Sequence, residues 1–223
     1  MAVQAATPAV SLSARVQITR NEQTQPSGAE NVVVWLAPSD SGAPQRSFPS
    51  VPHRLTQYHK SFEPHVLVVP VGAVVEFPNH DPFFHNVFSL FEGKRFDLGL
   101  YEAGTTRNVS FDRPGISYIF CNIHAEMSAV VIALETPYYA VSNRKGEIVI
   151  PEVPPGRYTM HVWYETALPA TLSAMTRQIT VTPESSTLGV LQIPAGLTVN
   201  AHKNKYGMDY EPPTPDAPGY DHP

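Results

Sequence analysis

Cys121, His124 and Met127 stand at three-residue steps in the segment Cys121-Asn122-Ile123-His124-Ala125-Glu126-Met127, and His85 lies 36 residues before Cys121. Together they offer one thiolate, two imidazoles and one thioether. A trigonal His₂Cys set with a weak axial Met is the donor set of a type 1 (blue) copper electron-transfer centre. Zinc also accepts Cys and His, but structural zinc sites close their tetrahedron with a strong fourth ligand, and a thioether is a poor one. Taken singly, each residue has a plainer reading. A lone Cys is a small buried hydrophobe, a Met fills gaps in a core, and a His beside a turn is solvated. All four residues in one ordered pattern at strand ends favour the metal. His80, five residues before His85, is a substitute imidazole that the spacing disfavours. The chain has one Cys, so no intramolecular disulfide forms, and the free thiol is left to react or to bind metal.

Strands must place these groups. Ile116 to Cys121 reads as an apolar strand with Ile116, Tyr118 and Phe120 on one face and Ile119 and Cys121 on the other. The loop Asn122 to Met127 turns the chain back toward the same end, and His85 must come from a neighbouring strand. Around them, Val66–Val69, Val74–Phe77, His85–Leu90, Phe96–Leu98, Asn108–Phe111 and Ser128–Leu134 alternate with Pro/Gly turns. Strands at this spacing predict a sandwich of two antiparallel sheets. Residues 13–19 and Val32–Leu36 give two earlier strands. Tyr138–Val141, Glu147–Ile150, Arg157–Tyr164, Gln178–Val181 and Leu188–Ile193 give later ones. His161, Trp163 and Tyr164 read as strand residues rather than a site.

Composition agrees with an all-β chain. Charged residues make up 16 %, and 23 prolines leave little room for long helices. The net charge is −5 with no basic stripe, so nucleic-acid binding is not expected. No apolar run reaches the length that spans a bilayer, so no membrane span is expected. The start, Met1-Ala2-Val3-Gln4-Ala5-Ala6, lacks a basic segment followed by an apolar one; the expectation is an exported, periplasmic or otherwise extracytoplasmic protein whose signal peptide has been removed. Residues 196–223 are proline-rich and poor in apolar side chains, which predicts an extended or disordered tail. His202, Met208 and His222 in that tail are candidate weak copper ligands, with a solvated tail as the favoured reading.

His85-Asn86-Val87 followed by Cys-x-x-His-x-x-Met resembles the cupredoxins, and the short ligand loop is most similar to that of amicyanin. The resemblance covers about residues 46–134 and implies a Greek-key β-sandwich. It implies His85, Cys121 and His124 as strong equatorial ligands of one copper ion and Met127 as the weak axial one. It gives Asn86 the task of tying the His85 strand to the ligand loop by hydrogen bonds. Glu126 departs from the plain pattern by placing an acid in the loop, where it should favour Cu(II) slightly in a salt-dependent way. The aromatic run Phe83-Phe84 is either core or an apolar docking patch beside the metal.

A second resemblance lies outside that stretch. Gly146-Glu147-Ile148-Val149-Ile150-Pro151 followed by Pro154-Pro155-Gly156-Arg157-Tyr158 resembles the carboxypeptidase regulatory-like domain, a small transthyretin-like β-sandwich. Residues 1–12 read as an untethered leader, and the resemblance implies a discontinuous transthyretin-like sandwich from residues 13–45 and 135–195. The cupredoxin domain, 46–134, is then inserted between its strands. The functional expectation is a mononuclear type 1 copper protein that passes single electrons between protein redox partners and is not an enzyme, since all four metal positions are filled. A copper carrier or sensor is the alternative; a structural role with the metal lost, or an enzyme with an open metal position, is weaker. Oligomeric state is not legible in the sequence.

Overall fold

Alternating burial organises this chain from its first strand. In the computed structural model, which describes residues 9–20, 23–25, 28–39, 47–48, 50–90, 92–196 and 202–210, β1 (Val10–Arg20) turns Leu12, Ala14, Val16 and Ile18 inward and Ser11, Ser13 and Arg15 outward. This is the two-residue period of a pleated strand with one buried face. The strand begins inside the stretch expected as leader, because Leu12 is taken into the core. Residues 1–8, the Pro26-Ser27 turn and His222 lie outside the described residues.

The chain continues through β2 (Gln23–Thr24), β3 (Val33–Pro38), β4 (Thr56–Tyr58), β5 (Ser61–Glu63) and β6 (Val66–Pro70). It then forms β7 (Ala73–Pro78), β8 (His85–Ser89), β9 (Phe96–Tyr101), β10 (Thr106–Phe111), β11 (Gly115–Cys121) and β12 (Ser128–Leu134). The last part holds β13 (Tyr139–Val141), β14 (Glu147–Val153), β15 (Gly156–Trp163), a short helix α1 (Pro169–Met175), β16 (Arg177–Val181) and β17 (Thr187–Pro194). The fold class is all-β. The helix starts on Pro169, where a missing N–H costs nothing, and buries no residue. No helix among the described residues is long and apolar enough to cross a membrane.

Two compact units result: Met1–Phe48 with Thr136–Thr198, and Pro49–Glu135 with Val199–Pro223. In the first, one sheet runs β14-β1-β17, with β2 beside β1, and the other runs β13-β3-β15-β16. Their inner faces meet in one core, with Val16, Ile148 and Ile193 from the first sheet and Val34, Met160 and Val181 from the second.

In the second unit, β4 pairs with β5, a five-stranded sheet runs β6-β12-β11-β8-β9, and a two-stranded sheet pairs β10 with β7. Val75, Phe77 and Phe111 pack with Val87, Ile119 and Val131 in the core between them. Between paired strands of the described residues, the expected antiparallel arrangement holds except at two places. β6 runs parallel to β12, and β1 runs parallel to β17. Parallel neighbours need a long crossover, and here five further strands lie between β6 and β12 in the chain. β4 and β5 were not expected; at three residues each they are too short for a periodicity signal.

The site's position follows from register. β11 lies between β12 and β8, and Cys121 sits opposite Val87. Residues i and i+2 on a strand share a face, so His85 and Val87 project to the side that carries Cys121. The ladder then passes into the loop, where the Asn122 amide donates to the Asn86 carbonyl at 2.8 Å.

Candidate metal centre

The structure brings His85, Cys121 and His124 together at one end of the five-stranded sheet. Their donor atoms all lie within 4.8 Å of one another, and among the described residues they form the one such cluster of His, Cys, Asp and Glu. Cys121 Sγ is 3.6 Å from His85 Nδ1 and 3.6 Å from His124 Nδ1. Two donors each about 2.0–2.3 Å from one shared ion and set roughly 110° apart stand about 3.6 Å from each other. The spacing therefore fits a thiolate and two imidazoles around a common metal.

The loop that carries two of these residues folds on its own backbone. The Cys121 amide donates to the Met127 carbonyl and the Met127 amide to the His124 carbonyl, each at 3.2 Å. Met127 is fully buried in the core cluster that also holds Cys121. Ile123, Ala125 and Glu126 face solvent, while His124 is half-buried. Glu126 thus sits on the outer side of the loop.

His85 is wholly buried, and its second ring nitrogen has a partner that sequence reading missed. Nε2 donates to Asp81 Oδ2 at 2.9 Å, which leaves the Nδ1 lone pair facing the sulfur. Asp81 is itself only 3 % exposed, and the same carboxylate accepts the amides of His59 at 2.6 Å and Lys60 at 3.0 Å. Those two amides belong to the two-residue turn between β4 and β5, in which both residues have positive φ, 52° and 54°. Burial works to raise the Asp81 pKa, and the Lys60 amide, the His85 ring and the His59 amide outweigh it, so the carboxyl is held below its usual value. The signal available in sequence was an acid four residues before the His, in the turn Asn79-His80-Asp81-Pro82.

Electrostatics keep the imidazoles neutral. Burial lowers the His85 pKa against the pull of Asp81. Burial, followed by the nearby charges of His85 and Lys60, brings His124 down to about 4. Burial pushes the Cys121 thiol up, and the amides of Asn86, Ile123 and His124 partly oppose this. The metal-free site thus holds two neutral donors and a thiol whose proton a metal must displace. Phe83 packs against both rings, at 5.3 Å from His85 and 5.5 Å from His124, and the Lys60 ammonium lies over its face.

Other expected residues fall differently. His80 is exposed and outside the cluster; its amide donates to the Gln57 carbonyl. The Asn86 side chain does not reach the ligand loop. It donates to Asp97 at 2.7 Å and to the Gly99 carbonyl at 3.1 Å, both in β9, and the tie to the loop runs through the Asn86 backbone carbonyl instead. The reason is register: β8 pairs with β9 on that side, with Asn86 opposite Leu100. Met208 is exposed, and His202 lies flat on Phe120 rather than in the cluster.

No protein-family model matches the chain, and no curated protein matches it. Solved structures similar to part of the chain include a purple cupredoxin, amicyanin and a Cu-containing nitrite reductase. A purple cupredoxin from Nitrosopumilus maritimus is 22 % identical, covering 37 % of this chain and 99 % of its own, with a TM-score of 0.34. Amicyanin from Paracoccus versutus is 18 % identical over 45 % of this chain and 97 % of its own, with a TM-score of 0.35. A Cu-containing nitrite reductase (NirK) from Thermus scotoductus is 24 % identical over 53 % of this chain, with a TM-score of 0.36, and the chain spans 28 % of its length. The expectation that the chain is not an enzyme is withdrawn, because the structures similar to it include this nitrite reductase as well as cupredoxins.

Proposed function

We propose that the chain is a mononuclear type 1 copper protein that passes single electrons between protein partners. The observation that carries this reading is the pair of 3.6 Å distances from Cys121 Sγ to two neutral imidazole nitrogens at a buried strand end. His85, Cys121 and His124 would hold the ion, with Met127 as a weak fourth donor. A bound copper ion supplies the Cu(I)/Cu(II) couple at that point.

The chain's own residues do the rest. Asp81 fixes the tautomer and orientation of His85. Phe83 packs on both imidazoles and restricts their rotation, which favours a site that changes little between oxidation states. His124 is the half-buried member of the set and the natural port for electrons. Beside the two ligands in sequence, Phe84 and Ile123 expose apolar side chains, a surface of the kind on which a partner protein docks. The unit that holds β1 and β13–β17 fits a transthyretin-like sandwich, and an extracytoplasmic setting suits a single free, metal-bound thiol.

Voltammetry of the copper-loaded full chain tests the reading. A reversible one-electron wave, with copper retained through repeated cycles, supports electron transfer. Loss of copper on reduction would instead make it a carrier.

A further inference from the structure

Residues 202–210 have no regular secondary structure, yet their contacts converge on the ligand loop. The Lys205 amide donates to Asn122 Oδ1 at 2.9 Å, on the residue after Cys121. The Lys205 ammonium donates to Asp97 Oδ2 at 2.9 Å, and the other oxygen of that carboxylate holds the Asn86 side chain at 2.7 Å. Because the Asn122 amide bonds to the Asn86 carbonyl, these four residues close a ring of hydrogen bonds. The ring joins the residue after His85 to the residue after Cys121. A second contact falls on the ligand itself: the Tyr210 hydroxyl donates to the Cys121 carbonyl at 2.5 Å.

The segment is built to make these contacts. Asn204 Oδ1 accepts the amides of Tyr206 and Met208, both at 3.0 Å, and the Asn204 amide bonds to the Met208 carbonyl at 2.9 Å. This is a tight turn that presents Lys205 at its start. His202 stacks on Phe120 with ring centroids 4.2 Å apart, and its Nδ1 lies 3.2 Å from the Tyr210 oxygen. With the phenol proton given to Cys121, that nitrogen is the donor to Tyr210. Exposed ion pairs contribute little to stability, but the Lys205 side chain is only 19 % exposed and its partner already belongs to a network. A solvated tail would not be expected to concentrate its bonds on a cysteine carbonyl and the adjoining asparagine.

We infer that His202–Tyr210 is a clamp that holds the Cys121–Met127 loop against the His85 strand, with Lys205 and Tyr210 as positioning residues for the copper site. The inference rests on the copper reading for its function and on the hydrogen-bond ring for its structure. The clamp keeps the ligands arranged when the ion is absent and slows its escape when it is present.

The full chain carrying Lys205→Met and Tyr210→Phe tests this, with Lys203→Met as control, since the Lys203 ammonium pairs with the exposed carboxylate of Asp209 at 3.2 Å. Amide hydrogen exchange of Asn122–Met127 is read in the metal-free proteins. Removal of Cu(I) by a chelator is read in the loaded ones. The double variant should exchange its loop amides and release copper about five- to tenfold faster, the change that one or two lost hydrogen bonds carry. Exchange in β6 and β12 should stay unchanged, and Lys205→Arg alone should match the unaltered protein. Unchanged loop exchange in the double variant would overturn the clamp, whatever metal the site takes. If β12 exchange rises as much as that of the loop, the segment is a general brace and the clamp is likewise overturned. A protein that binds no copper would sink the metal reading while the exchange result still decides the clamp.

Discussion

Asp81 is a buried carboxylate with three donors around it, and removing its charge should be felt in two places. In Asp81→Asn, one oxygen becomes an NH₂ group that faces donors instead of accepting from them. Either the His85 ring or a turn amide then loses its partner. Copper affinity should fall about 10–100-fold, as for other partners of metal-bound histidines. Folding stability should fall by about 1–3 kcal/mol for the stranded buried donor. Competition with a chelator of known affinity and chemical denaturation measure the two. His85, Cys121 and His124 were legible in the sequence because thiolate and imidazole are rare donors and stood in order at a strand end. Asp81, Lys205 and Tyr210 were not, since an acid in a turn, a lysine in a polar tail and a lone tyrosine have no pattern until the chain folds them against the His85–Cys121–His124 cluster and its loop. The tie expected from Asn86 to the loop runs through its backbone carbonyl, while its side chain bonds to Asp97 and Gly99 in β9.

At the scale of elements, strands with strong alternation such as β1 and β11 declare themselves, while β4 and β5 draw their identity from pairing with each other. Thr56–Tyr58 is recruited by the turn that Asp81 caps, which is a tertiary fact. One turn in the other unit is fixed by backbone geometry. Gly146, between β13 and β14, has φ of +73°, and its carbonyl accepts the Val16 amide at 2.7 Å. A Cβ there would come within 2.5 Å of the Val16 carbonyl oxygen. The obstacle is backbone in the middle of β1, which cannot move aside cheaply. Gly146→Ala should therefore destabilise its unit by about 2–3 kcal/mol, from the left-handed φ and the clash together. A thermal unfolding curve with an unshifted midpoint would contradict this account of the turn.

At the scale of the whole molecule, chain order and fold order part company. β1 is the middle strand of β14-β1-β17, and β3 lies between β13 and β15 in the facing sheet. A fragment holding residues 135–195 would lack β1 and β3, an interior strand of each sheet, and with them Leu12, Val16, Val34 and Leu36 of the shared core. It should be unfolded by circular dichroism and show collapsed amide dispersion; a cooperative, folded fragment would contradict the dependence of one half on the other. The parallel pairing of β6 with β12 was hidden for a related reason. Strand direction within a sheet is decided by where a distant segment returns, and local periodicity carries no record of it.

If Cys121 and two imidazoles hold one copper ion, adding Cu(II) to the full chain must change its visible spectrum, which is recorded with Cys121→Ser alongside. An intense thiolate-to-copper band should appear, saturate at one ion per chain and be absent from the variant. A colourless protein, or a band that survives the loss of the Cys121 sulfur, would contradict that ligand set.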